Sequence, residues 1–347
     1  MKAFGIVFIL LLSWAHAEEK CSAIDYRKEL GPNRDQGDLS WCFAYTSADL
    51  ISQRVKKRVS ATDIASTFIL ADPYKLEDAT QPAVKEYLQE NPQFYTRLQK
   101  VRAEAAGKYD PQHILKKEGL TDTGGQEDAA IMLANTKGLC AEEKFPSTES
   151  NQTKFLDEIV KLYKKRNAAH IKQNNCDLFQ TQADFTSAVV NPVSVAITSV
   201  YDEERDRRCQ RKPWPVPLIP VMTKFGDSHE EYETAIKKGE ITKEQGSKKL
   251  FETIDYALEN GRIAAIGYNA YNIMEPEEGA DTKHADHSSV IAARKMVQGK
   301  CQYLIRNTWG SDCSIYYKKF QGRCEKGNIW ITKEELKESL YSVVYMK

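Results

Sequence analysis

From Trp41 onward, apolar residues fall at Ala44, Ala48, Ile51 and Val55. Those steps of four, three and four match the helical period. A polar, turn-like stretch from Asp35 to Ser40 precedes them, and Ser40 is the expected N-cap, which puts Cys42 in the first turn. A second helix is expected where Ser60-Ala61-Thr62-Asp63, resembling a capping box, leads into the apolar run Ile64 to Leu70. The segments "AVKEYLQE" and "YTRLQKVRAEAAGKYD" read as polar amphipathic helices. Towards the C-terminus the pattern becomes extended. "DHSSVIAARK", Asp286 to Lys295, sets a His before small and β-branched residues that read as a strand, and "YLIRNTWG", Tyr303 to Gly310, reads as a second strand ending at Asn307. The Pro-rich "KPWPVPLIP" and the charged run His229 to Lys249 are expected as loop and solvated helix. No internal repeat is visible.

Composition narrows this picture without directing it. The chain has 347 residues, 41% hydrophobic and 28% charged, with 49 basic and 49 acidic side chains. That is a globular composition with material for a sizeable core, and its balance gives no first-order reason to expect nucleic acid or an anionic membrane as partner. Residues 1–17 read as an export signal. Lys2 supplies the positive start, Phe4 to Leu12 the short apolar run, and Ala15-His16-Ala17 a small-x-small cleavage site before Glu18. No later stretch is long and apolar enough to span a bilayer, so no membrane association is expected after cleavage, and the localisation expected is periplasmic or extracellular. Asn151-Gln152-Thr153 is a glycosylation sequon.

Eight cysteines in an exported chain point to disulfides. With Cys42 held out as a free thiol, seven remain, so at least one more is unpaired or bonded to another molecule. There is no CxxC pair and no paired His spacing, hence no metal site and no cofactor is expected. Cys42 sits where a helix N-terminus favours thiolate, the nucleophilic form of the side chain. The bland alternative is one more buried, inert cysteine.

Cys42, His287 and Asn307 occur in that order, and together with their surroundings they resemble the papain-like cysteine peptidases. Gln36-Gly37 lies six and five residues before Cys42, as in that family's Q-G-x-x-x-x-C pattern. Asp286-His287-Ser288-Ser289 and Asn307-Thr308-Trp309-Gly310 resemble its His and Asn motifs, while "TGGQEDAA" and "KGLCAEEKFP" resemble its Gly-Gly helix start and the segment that follows. The resemblance implies an α+β, two-lobed fold: a helical lobe over about residues 40–145, and a β-barrel-like lobe over about 150–347, with a cleft between. It also implies catalytic roles for Cys42 as nucleophile, His287 as its ion-paired partner, Asn307 as orienter of the imidazole and Gln36 as oxyanion donor. Gly124, Gly125, Asp286 and Trp309 are the implied substrate-binding or covering residues. His284 is the rival base, and His113, His170 and His229 are expected at the surface.

There are departures. The family's usual cysteine ahead of the nucleophile is missing, and Trp41 stands beside Cys42, where it would narrow or occlude the cleft. The separations Cys42 to His287 and Cys42 to Asn307, 245 and 265 residues, exceed the family's ~130–150. One insert is expected over 72–117, with helices flanking the cleft, and another within 147–250. In that second region "NPVSVAIT" at Asn191 and "GRIAAIGYNA" at Gly261 compete for one family strand, and the latter is preferred for its distance from His287. No prosegment is recognisable ahead of Cys42, so the enzyme is exported active, or an insert or a protein inhibitor restrains it. Gln126, Glu127 and Ser288 are expected to set side-chain preference. The expected function is hydrolysis of peptide or protein substrates through an acyl-enzyme. The alternatives are a Cys-His-Asn amidase or transglutaminase-like acyl transferase, and a non-catalytic binding protein on this scaffold.

Overall fold

The computed structural model describes residues 21–37, 39–70, 82–93, 125–174, 192–209, 217–276 and 285–347. The expectations placed on the signal segment, Tyr95 to Asp110, His113, Gly124, Cys176 and His284 lie outside the described residues.

The described chain begins with a short strand β1 (Ile24–Asp25) and a single turn α1 (Arg27–Leu30), then enters α2 (Cys42–Val55) and α3 (Ala61–Leu70). Next come α4 (Pro82–Glu90), which lies inside the expected first insert, α5 (Glu127–Lys137), the long α6 (Glu149–Asn174) and α7 (Pro192–Cys209). The remainder is mainly sheet: β2 (Pro220–Lys224), then α8 (His229–Lys237) and α9 (Lys243–Glu259), then β3 (Ala264–Asn269), β4 (Asp286–Val297) and β5 (Lys300–Arg306). A turn α10 (Lys318–Gln321), β6 (Cys324–Glu325), β7 (Asn328–Thr332), α11 (Lys333–Lys337) and β8 (Leu340–Met346) complete it. The class is α+β, as expected.

All strand pairs are antiparallel, in the order β2-β8-β3-β4-β5-β7-β6, with β1 on β4. The path has two ends, so the sheet is open and barrel-like describes it loosely. β3 and β4 occupy its middle. Every residue of β3 is buried, because the period of two sends Ala265 into the core shared with α2, α3 and α5 while Ala264, Ile266 and Tyr268 face a second core under α9. α9 presents Leu250, Phe251, Ile254 and Leu258 to that second core. Burying side chains of this kind is worth about 1.5–3 kcal/mol each. Its start is fixed by a capping box in which Thr242 and Gln245 satisfy each other's backbone N–H groups.

Several expectations are corrected. Ser40 does not cap α2: the N-cap position is Trp41, and no side chain caps it. Ser60 does cap α3, its hydroxyl accepting from Asp63 N at 3.0 Å, but the Asp63 carboxylate is drawn away to Arg205 and to the Cys140 N–H. The described part of "NPVSVAIT", from Pro192, opens helix α7 and is not a strand, and the preferred Gly261 to Ala270 segment supplies β3. The end of the Pro-rich segment leads into edge strand β2, where Pro220 opens the strand and leaves the inner ladder intact. His229 is buried, at 6% exposure, because it begins α8 where that helix packs against the sheet.

Three disulfides close the described chain: Cys21–Cys301, Cys140–Cys209 and Cys313–Cys324, and Cys42 is free. The second ties α7 to the segment after α5, beside the buried Arg205–Asp63 ion pair between α7 and α3. No helix among the described residues is long and apolar enough to cross a membrane.

A buried charge network joins the two halves under the site. Asp49 on α2 accepts from Arg34 Nε at 3.0 Å and from Arg306 Nε at 2.7 Å, and Glu142 receives Arg34 Nη1 at 2.5 Å. Arg306 also donates to Gly31 O, Pro32 O and Asn33 Oδ1. Because Arg34 precedes Gln36 by two residues and Arg306 immediately precedes Asn307, one carboxylate fixes the chain on both sides of the site.

Candidate active site

Helix α2 begins at Cys42, and the residue after it explains one local choice. Phe43 packs against Gly125, where a Cβ would stand 2.7 Å from the Phe43 ring, so the start of the α5 segment lies against the Cys42 turn only because that position is glycine. From the other half, β4 opens with Asp286 and His287 and pairs with β3, His287 opposite Tyr268. β5 ends at Arg306, and Asn307 follows directly.

His287 is buried, and its Nε2 lies 3.0 Å from Asn307 Oδ1. The amide orientation is determined by its other partners. Asn307 Nδ2 donates to the Tyr316 hydroxyl at 3.0 Å, and the Thr308 N–H donates to Oδ1 at 2.7 Å. Tyr316 in turn donates to Gly327 O at 2.8 Å. Oδ1 is therefore the acceptor, Nε2 carries the proton, and Nδ1 is the basic nitrogen. Trp309 stacks on the imidazole with ring centroids 3.7 Å apart, and the Tyr268 ring meets it edge-on. The ring is thereby held in one plane and its bond to Asn307 is covered.

Cys42, Gly125, Asp286 and His287 line one cavity of about 150 Å³. The Ser288 backbone N–H is directed at the Cys42 sulfur. Burial nevertheless pushes the thiol up, with the Glu127 carboxylate adding to the rise, and burial pulls the His287 imidazole down against the raising influence of Asn307. Burial thus works against the helix end expected to favour thiolate.

Gln36 is buried beside Asn307 but does not line this cavity. Its N–H donates to Thr308 O at 2.8 Å, its Oε1 accepts from the Thr308 hydroxyl at 2.5 Å, and its Nε2 donates to Leu39 O at 2.6 Å, leaving the second Nε2 hydrogen for another acceptor. Asp286 lies on the cavity wall and accepts the His229 backbone N–H at 2.9 Å, so the start of α8 tethers the strand carrying His287. Trp41 is fully buried in the helical core and does not stand in the cleft, which removes the expected narrowing.

Reading the sequence missed the support of this site. Thr308, Tyr316 and Tyr268 carried no motif of their own, although a Thr between Asn and Trp is a polar side chain next to two that are singled out. It also missed the far wall of the cavity, formed by Met222, Lys224, Asp227, Gly267 and Tyr341. Gly267 offered a signal, a glycine inside a strand pattern: a Cβ there would stand 2.3 Å from Ser342 Oγ and 2.8 Å from the Tyr341 ring. Among the described residues no group of three or more His, Cys, Asp or Glu side chains is placed to hold a metal ion.

No family model matches the chain, and no curated protein matches it. Solved structures similar to it include digestive procathepsin L 3 of the Tenebrio molitor larval midgut, at 8% identity and TM-score 0.38, covering 95% of this chain and 71% of that one. Another was described for antibody cross-reactivity between the mite allergens Blo t 1 and Der p 1, at 12% identity and TM-score 0.38, covering 97% of this chain and 73% of that one. The fold is papain-like. Its element order carries that statement: a helix starting at the cysteine, central antiparallel strands, the histidine at the head of one of them and the asparagine at the end of the next.

Proposed function

We propose that this chain is an exported cysteine peptidase that hydrolyses peptide bonds through an acyl-enzyme. The observation that carries the reading is the fixed tautomer of His287. Asn307 holds the Nε2 proton, Trp309 covers that bond, and the basic Nδ1 is left on a ring that shares a cavity with Cys42.

In the proposed reaction Nδ1 of His287 takes the thiol proton as the Cys42 sulfur bonds to the scissile carbonyl carbon. The carbonyl electrons move to oxygen, where the Cys42 backbone N–H and the second Nε2 hydrogen of Gln36 are the donors assigned to it. Collapse breaks the C–N bond, the imidazolium gives its proton to the leaving amine, and a thioester remains. Water then adds to the thioester with His287 as base, releasing the acid and the thiol. The three disulfides are consistent with an oxidising, exported setting.

The test is labelling at neutral pH with iodoacetamide or an epoxysuccinyl probe, comparing the natural chain with His287→Ala. Modification at Cys42 that slows at least about tenfold in the variant supports the reading. Equal rates in the two proteins overturn it.

A further inference from the structure

Asn307 orients the imidazole only while its own amide is held the right way round, and a segment outside the sequence motifs does the holding. Among the described residues the acceptor for Asn307 Nδ2 is the Tyr316 hydroxyl, at 3.0 Å, and that hydroxyl donates to Gly327 O at 2.8 Å. Tyr316 is fully buried. Turning the amide over would face Nδ2 towards His287 Nε2, which would then have to accept, and the neutral ring would carry its proton on Nδ1, where the base is needed. The Thr308 N–H and, at 3.4 Å, the Ser289 hydroxyl also prefer the oxygen, so loss of the Tyr316 hydroxyl weakens the orientation without reversing it outright.

A covalent link acts on the same two partners. The Cys313–Cys324 disulfide joins the chain three residues before Tyr316 to the chain three residues before Gly327. Between Gly310 and Tyr316 the chain is thinly held. Ser311, Asp312 and Ser314 are exposed, Ser314 bonds to Asp312 within its own turn, and the Tyr316 N–H reaches Cys313 O at 3.4 Å. The bridge ties this stretch directly to β6. From Ile315 onward the loop has backbone bonds to Glu275 and Ile273, so opening the bridge is expected to loosen it and not to unfold it. The bridge is also more open than the other two. Both of its cysteines are half-buried, whereas Cys301 and Cys140, one in each of the others, are buried.

We propose that Tyr316 is a positioning residue for the His287–Asn307 pair, and that the Cys313–Cys324 bridge, by clamping Tyr316 to Gly327, makes this positioning redox-dependent. The proposal rests on the peptidase reading above and concerns regulation of that site. A dithiol reductant opens the bridge by exchange. Its thiolate bonds to one bridge sulfur, the S–S bond breaks, and the other cysteine leaves with the electron pair and takes a proton. The reductant's second thiol then displaces the first cysteine, so the reductant ends as a disulfide and the protein gains two thiols. Reducing conditions thus act on this chain in opposite senses, keeping Cys42 as a thiol while loosening the group that orients its base.

The test measures peptide hydrolysis by the whole protein and by Tyr316→Phe, Asn307→Ala and the double variant. Phenylalanine keeps the buried ring, and the melting temperature reports folding. Tyr316→Phe is expected to lower kcat by about tenfold with KM within about twofold, and to have less than about a twofold effect when Asn307 is already alanine. An equal loss in both backgrounds, or none in the natural one, overturns the positioning role. The tautomer is read separately by nitrogen-15 NMR of the neutral histidine rings, assigned with His287→Ala. Tyr316→Phe should raise the share protonated on Nδ1, and an unchanged share overturns the route through Asn307. For the bridge, the natural chain is titrated with dithiothreitol, samples are alkylated and mapped by mass spectrometry, and kcat is followed in parallel. A fall of about threefold or more is expected as Cys313 and Cys324 become alkylated and before the other bridges open, and that step should be missing from Tyr316→Phe. Activity that persists with this bridge open, or falls only with another, overturns the redox control and leaves the peptidase reading standing. Absence of both hydrolysis and His287-dependent labelling overturns the peptidase reading and this proposal with it.

Discussion

Asp49→Asn removes one negative charge from the network beneath the site while keeping the side chain's shape. Asp49, Arg34 and Arg306 are each 3% exposed or less, so neither guanidinium can be rehydrated without opening the structure. The amide retains one acceptor but turns an N–H towards one of the two arginines, at a position where the carboxylate now makes bonds of 3.0 and 2.7 Å. Removing one partner of a buried ion pair costs about 3–5 kcal/mol. The lower end applies here. Arg34 keeps Glu142, and Arg306 keeps Gly31 O, Pro32 O and Asn33 Oδ1. A loss of about 3 kcal/mol corresponds to a fall in melting temperature of about 4 °C in a chain of this length. Urea unfolding and differential scanning calorimetry measure it, and activity per folded molecule should fall too, because Arg306 and Arg34 fix the backbone at Asn307 and Gln36. The effect carries a pH signature. Burial opposes ionisation of Asp49, but Arg306 and Arg34 outweigh it and hold its folded pKa below the ordinary value. The stability it contributes is therefore complete above the unfolded pKa of about 3.9 and is lost as pH falls through the depressed folded value. The gap between the natural chain and Asp49→Asn should be full at neutral pH and shrink well below pH 4. A change under about 1 kcal/mol at neutral pH would refute the claim that this carboxylate holds the two halves in register.

Two further outcomes are expected. Trp309→Ala exposes the His287–Asn307 bond, now covered by a ring 3.7 Å from the imidazole, and should lower kcat by about ten- to hundredfold with little change in KM; steady-state kinetics within twofold of the natural chain would count against a positioning role. Burial lowers the folded pKa of His287 to about 3, with Asn307 opposing, whereas the unfolded residue titrates near 6.5, so between those values the unfolded chain binds the extra proton. Stability should fall as pH drops below about 6.5, by up to about 1.4 kcal/mol per pH unit from this residue, and unfolding of His287→Ala from pH 4.5 to 7.5 should lack that component; an unchanged slope would argue that the imidazole is not buried in its neutral form.

What could be read ahead of the structure, and what could not, follows from the range of each interaction. The Cys42 helix, the β3 segment, the strand that His287 heads and the strand that Asn307 follows are local patterns: apolar residues at helical or alternating spacing, with a motif residue beside the end of most of them. Their boundaries came out close for that reason. Ser40 failed as a cap because a helix can start without a side chain bonded to its first turn when its apolar face is packed from the outset, and Trp41 and Phe43 are both fully buried. "NPVSVAIT" failed in the other direction. Its β-branched residues suit a strand, yet from Pro192 it opens a helix that as a whole packs against α3 and α6, with the Arg205–Asp63 ion pair and the Cys140–Cys209 disulfide fixing the far end. The Asp49 network was illegible for a different reason. Arg34, Asp49, Glu142 and Arg306 are spread over much of the chain, and each alone looks like a solvated surface charge, the ordinary fate of such residues. Only the pairing of β5 with β4, which carries Arg306 to the middle of α2, makes the carboxylate unavoidable there, since a buried guanidinium without it would be prohibitively costly. The chemistry of this chain is thus written in short motifs, whereas the rigidity that gives the chemistry its geometry is written in charges that acquire meaning once the strands have paired.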